Sequence, residues 1–222
     1  MKIAIIAAMS KELALLLPMI ESRSTVTANG MTFHTGHIGG HQIIATECGI
    51  GKVNAAVGTL TLIDCFHPDM VINTGVAGGT GAGASILDVV IADRIAYHDV
   101  WCGPGTEPGQ AAGCSPFFSC PLPENFFEGL EVKRGLVASG DIFVSRPEEV
   151  SHIKSIWPDA MAVDMESAAI AQVCHIKSVP FVCIRVISDT PGSADNISQY
   201  ENFWTDAPAH TFATLTALLD RL

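Results

Sequence analysis

The chain has 222 residues, 48% of them apolar and 16% charged, which excludes a disordered or low-complexity chain and supplies material for a large core. With 12 Lys and Arg against 23 Asp and Glu the net charge is −11, which excludes nucleic acid as a partner, because a phosphate backbone needs clustered cations. Seven cysteines, an odd number with no CxxC pair, read as reduced thiols of a cytoplasmic protein.

Residues 2–8 (KIAIIAA) form a continuous apolar run, the pattern of a strand buried on both faces. Lys11 and Glu12 interrupt the run too early for a signal peptide, and no 18-residue apolar segment follows, so no membrane association is expected. Ser10 is a candidate N-cap for an amphipathic helix from Lys11 to about Ile20. Segments 31–38 and 42–47 flank Gly39-Gly40, a hairpin signal. A helix over 52–66 precedes a buried strand at 69–74, and Gly75–Gly79 then reads as a glycine-rich turn where a ligand approaches the backbone closely. Further strands are predicted at 88–97, 134–140, 161–164 and 180–188, with helices at 146–155, 165–177 and 199–221. Residues 101–120, rich in Gly and Pro, read as a loop that serves as a lid or an interface. Apolar strands alternating with helices indicate a single α/β domain over 1–222, its sheet mixed, largely parallel and flanked by helices. In such sheets ligands bind beyond the carboxyl ends of the strands.

Gly79-Thr-Gly-Ala-Gly-Ala84 fits a dinucleotide-binding GxGxxA pattern, but that motif must open a helix, and the β-branched stretch after Ile86 reads as strand. No P-loop or GxSxG elbow occurs. Cys102, Cys114 and Cys120 with His98 have irregular spacing in a Gly/Pro-rich loop, so no metal site is expected. His98 and His175 read as structural. Three acids stand at strand ends or helix starts in apolar surroundings: Glu12, Glu166 and Asp189. Helix-dipole stabilisation accounts for Glu12 and Glu166 taken singly. It accounts less well for Asp189, because Thr190-Pro191-Gly192 makes a turn rather than a helix.

The segments MKIAIIAAMSKE, CGIGKVNAA (48–56), INTGVAGG (72–79), GDIFVS (140–145), AVDMESAAIAQVCH (162–175) and VPFVCIRVISD (179–189) together resemble the 5′-methylthioadenosine/S-adenosylhomocysteine nucleosidases of the nucleoside phosphorylase superfamily, nearly end to end and in matching order. The resemblance implies a nucleoside phosphorylase-like fold, a homodimer, no cofactor and no metal, and hydrolysis of the bond between adenine and a 5′-thio-substituted ribose. It implies that Asp189, oriented by Ser188, gives a proton to purine N7, and that Glu12 deprotonates the attacking water. Glu166 would bind the ribose hydroxyls and Met165 the sugar face. Phe143 would stack on adenine, the backbone of Val144 would read the base edge, and Met9 and Ile50 would line the 5′ side. Val76, Ala77 and Gly78 complete the expected substrate contacts. Tyr200 or Phe203 would close the pocket.

Two departures stand out. Family members often carry Ser where this chain has Val76, and the 101–110 loop, which in related enzymes covers the 5′-thio group across a dimer interface, offers Trp101 as its aromatic residue. Three rivals stay open: a futalosine-type nucleoside hydrolase, a purine nucleoside phosphorylase and a non-catalytic nucleoside binder. A phosphorylase calls for arginines near the glycine segment, and 72–92 holds no Arg or Lys. A binder has no use for both Glu12 and Asp189.

Overall fold

In the computed structural model, which describes residues 1–206 and 208–222 and the side chains outside 205–213, the apolar N-terminal run forms β1 (Lys2–Ala7). Successive strand side chains point to opposite faces, and β1 is apolar on both. Ile3 and Ile5 pack with Leu13 and Leu16 of α1 (Ser10–Leu16) and with Leu215 and Leu218 of α6 (Pro208–Leu219). Ala4 and Ile6 face the other way, toward Ala55 and Leu62 of α2 (Lys52–Phe66) and the Ala168–Ala171 stretch of α4 (Ser167–Lys177). Each fully buried isoleucine contributes about 1.5–3 kcal/mol, so the two-sided burial of β1 anchors the sheet between helical layers.

Among the described residues ten strands make one mixed sheet. The others are β2 (Glu21–Ala28), β3 (Met31–Ile38), β4 (His41–Glu47), β5 (Met70–Gly79), β6 (Val89–Tyr97), β7 (Phe118–Ser119), β8 (Lys133–Ser139), β9 (Ala160–Asp164) and β10 (Phe181–Asp189). An open arm runs β2-β3-β4-β1-β5, and β5 also pairs with β10 and β9. Because β10-β6-β8-β9 leads back to β5, these five strands close into a ring. The pairings β4-β1-β5-β10 and β6-β8-β9 are parallel; the hairpins and the β10-β6 and β5-β9 contacts are antiparallel. Helices α3 (Pro147–Ile156) and α5 (Asn196–Asp206) complete the fold.

Several expectations are corrected. The Gly75–Gly79 segment is not a turn: β5 continues through it. Strand β2 has no apolar alternation to announce it, because it is the exposed edge of the arm. The helix expected to reach Ile20 ends at Leu16 and continues as a 3₁₀ turn over Leu17–Met19, in keeping with Pro18, which cannot donate to an α-helical ladder. Met9, not Ser10, is the N-cap of α1. The helix expected from 199 begins earlier, at Asn196, and its described residues are helical over Asn196–Asp206 and Pro208–Leu219. The GxGxxA segment leads into β6 without an intervening helix, as its β-branched continuation indicates.

Candidate active site

The site begins where the sheet divides. On one edge of β5, β1 pairs only as far as Asn73 and β9 takes over at Gly78. Between them the edge carries no strand, and Glu12 fills the gap: its Oε1 accepts from Val76 N at 3.0 Å. Its Oε2 accepts from Ala8 N and Met9 N, each at 3.0 Å, which binds the start of α1 to the end of β1. A Cβ on Gly75 would lie 2.5 Å from Oε1, so close approach of a carboxylate, not a turn, requires glycine there. Likewise a Cβ on Gly78 would strike the Pro191 ring.

Asp189 ends β10 beyond an irregularity in register: Ile187 pairs with Ala77 and Asp189 with Gly78. The skipped residue, Ser188, is turned so that its Oγ donates to Asp189 Oδ1 at 2.6 Å, the kind of re-aiming a bulge produces. Asn196 Nδ2 donates to the other carboxylate oxygen. Glu166 stands at the N-cap of α4, and its Oε1 accepts from Gly51 N at 2.8 Å. Beneath these acids Arg185 lies fully inside the protein. Its Nε donates to Asp164 Oδ2 at 2.8 Å and its Nη2 to Asn73 Oδ1, while Ser167 Oγ donates to Asp164 Oδ1 at 2.9 Å.

The three acids share a cause for their proton affinity and differ in what opposes it. Burial raises each of them. For Glu12 the Arg185 charge and three backbone N–H groups pull the other way. For Asp189 only Ser188 and Asn196 do. Glu166 is pushed up to about 7, first by burial and then by the Asp164 carboxylate beside it.

All twelve expected site residues, Met9, Glu12, Ile50, Val76, Ala77, Gly78, Phe143, Val144, Met165, Glu166, Ser188 and Asp189, line one pocket. Of the two candidates to close it, Tyr200 lines the wall, its ring 5.5 Å from that of Phe143 and its hydroxyl 3.4 Å from Met9 Sδ. Phe203 packs in the core instead. His98 and His175 do not line this pocket. Among the described residues no group of His, Cys, Asp and Glu is arranged to hold a metal ion.

A family model described as "Phosphorylase superfamily" matches residues 2–220. A 5′-methylthioadenosine/S-adenosylhomocysteine nucleosidase of Chromohalobacter salexigens is 40% identical in an alignment covering 100% of this chain and 97% of that protein. The chain belongs to this nucleosidase family. It superposes with a TM-score of 0.92 on the nucleosidase from S. pneumoniae solved with the transition-state inhibitor MT-ImmA, at 37% identity over 100% of this chain and 99% of the other. A futalosine hydrolase mutant of Helicobacter pylori shares the fold at a TM-score of 0.89 and 27% identity, over 100% and 99% of the two chains. Sequence reasoning missed Ala8, Ile142, Val163, Asp164 and Pro191 in the pocket lining and, behind it, Asn196 on Asp189 and the Arg185 and Asn73 side chains that form a buried group with Asp164. The one available signal was the lone Arg185 inside an otherwise apolar strand.

Proposed function

We propose that the chain cleaves the N-glycosidic bond of 5′-methylthioadenosine and S-adenosylhomocysteine with water, releasing adenine and the 5′-thio-substituted ribose. The observation that carries this reading is the convergence of Glu12, Glu166 and Asp189, three buried carboxylates with no side-chain cation partner among the described residues, on a pocket lined mainly by apolar side chains, where the fourth, Asp164, is engaged by Arg185. Departure of a purine from an oxocarbenium-like sugar calls for an acid at the base and an activated water at C1′. Asp189, which burial keeps ready to hold a proton, gives it to N7 as the electrons of the C1′–N9 bond leave with the base. Glu12, anchored through backbone N–H groups, takes a proton from the water whose oxygen bonds to C1′. Glu166 accepts hydrogen bonds from the ribose hydroxyls, Met165 packs on the sugar and Phe143 stacks on adenine. The reaction so written balances with water alone.

Val76 has no hydroxyl to offer the water, but its backbone N–H holds Glu12, so positioning falls to the carboxylate. Hydrolysis is favoured over phosphorolysis because the pocket lining includes no Arg or Lys, and Arg185 is engaged by Asp164 and Asn73. The deciding experiment measures adenine released from 5′-methylthioadenosine with and without phosphate, with S-adenosylhomocysteine alongside. Phosphate-independent release is expected. Release only with phosphate makes the protein a phosphorylase, and release from neither nucleoside leaves the futalosine-type substrate or a binder.

Two further parts of this reading are the homodimer and the cytoplasmic location. An exposed apolar stripe on α2, Val53, Val57 and Leu60, with Ile50, Ile176 and Trp101 also exposed, supports a second copy as the cover. Light scattering is expected to give a dimer, and a fully active monomer overturns it. The seven free cysteines suit a reducing compartment, and no helix among the described residues is long and apolar enough to cross a membrane.

A further inference from the structure

Away from the carboxylates that face the ligand, one charged cluster ties separate pieces of the pocket together. Helix α2 starts at Gly51, which has no side chain to cap it, and the capping oxygen comes from 89 residues away in sequence: Asp141 Oδ1 accepts from Lys52 N at 2.7 Å. Asp141 is held in turn, its own N–H donating to Asp99 Oδ2 at 2.9 Å. The same Asp99 oxygen receives the Lys52 ammonium at 2.7 Å. Two glycines permit the approach. A Cβ on Gly51 would lie 3.1 Å from Asp141 Oδ1, and one on Gly140 would lie 2.8 Å from Asp99 Cγ.

On each side the cluster adjoins residues that line the pocket. Gly51 N–H holds Glu166 at 2.8 Å, and Ile50 beside it lines the pocket. Asp141 is followed by Ile142, Phe143 and Val144, all of which line it. We infer that Asp99, with Lys52 and Asp141, is a positioning residue that sets the separation between Glu166 on the ribose side and Phe143 on the base side. This rests on the nucleosidase reading above. The bonds in the cluster are charge-assisted and fall on backbone N–H groups as well as side chains, so what they fix is the course of two chain segments. A nucleoside spans both half-sites through its glycosidic link. An error in their separation therefore weakens the linked ligand far more than either fragment.

The test compares 5′-methylthioadenosine with its two halves. Turnover of the nucleoside and the inhibition constants of adenine and 5-methylthioribose are measured for wild type, Asp99→Ala, Asp99→Asn and Lys52→Met. Asp99→Ala is expected to raise KM about tenfold, with kcat falling less than about threefold and each fragment constant moving less than about twofold. Asp99→Asn, which still accepts both hydrogen bonds, is expected to bring KM back to within about threefold of wild type. If Asp99→Ala does not fold, Lys52→Met carries the same expectation. Unchanged KM in a folded variant, or fragment constants rising in step with KM, overturns the assignment. A wild-type protein that releases no adenine overturns the nucleosidase reading, and the assignment with it; in every other case the two failures are told apart.

Discussion

Strands β1 and β10 are both buried along nearly their whole length and both deliver a carboxylate to the pocket, yet they hold it by different means. After Lys2, β1 is apolar throughout; its acid, Glu12, arrives on the next helix and is hydrogen-bonded by backbone N–H groups of Ala8, Met9 and Val76. Strand β10 carries Arg185 in its middle and Asp189 at its end, and side chains from elsewhere answer each charge: Asp164 of β9, Asn73 of β5 and Asn196 of α5. A carboxylate held by backbone depends on the fold alone. One held by a network of side chains depends on every member, since a buried charge left without its partner keeps its full desolvation cost.

Arg185→Met is expected to have the largest effect, because it leaves Asp164 buried and unpaired. The loss of stability should be about 3–5 kcal/mol in urea unfolding, and a loss below about 1 kcal/mol would mean that the network does not hold the ring of strands. Next comes Asp189→Asn, which keeps the shape of the side chain and removes the proton to be transferred. Adenine release should fall about 100-fold or more, equivalent to about 2.7 kcal/mol of barrier, with folding and ligand binding kept. Near-normal turnover in the folded variant removes Asp189 from the mechanism.

Glu166→Gln should act on stability in the opposite sense. The native carboxyl holds its proton up to about pH 7, whereas the unfolded one releases it near its ordinary value of 4.5. The folded state therefore binds the extra proton in that window, and stability falls as pH rises from about 4.5 through 7. Gln retains an acceptor for Gly51 N–H and carries no charge, so the variant should melt a few degrees above wild type at pH 8 and close to it at pH 5 while losing activity. Equal melting shifts at the two pH values would mean that charge burial is not the cost. The smallest effect is expected in β1, where Ile5→Val should cost about 1 kcal/mol and leave kcat/KM unchanged. A tenfold loss of kcat/KM there would show that β1 does more than support α1.

The same contrast explains what could be read from the chain before its structure. Glu12, Glu166 and Asp189 are legible because each interrupts or ends an apolar run at the point where an α/β sheet presents its ligands, and the MES and ISD segments carry the family resemblance. Arg185 is hidden in plain view: a cation within FVCIRVISD has meaning only once β9 supplies Asp164 and β5 supplies Asn73. Asn196 lies in a polar stretch, where one more amide has no contrast. The Gly75–Gly79 run was legible as a place of close approach but not as strand, because glycine is depleted in strands and the carboxylate it accommodates comes from α1.

The unpaired stretch of β5 between the end of β1 and the start of β9 has a spectroscopic consequence. Val76 N–H is bound there by a titratable carboxylate instead of a neighbouring carbonyl, so its electronic environment follows the charge on Glu12. In the proposed reaction, where Glu12 takes a proton from water, that hydrogen bond is expected to weaken. The Val76 amide resonance is thus expected to follow the charge on Glu12.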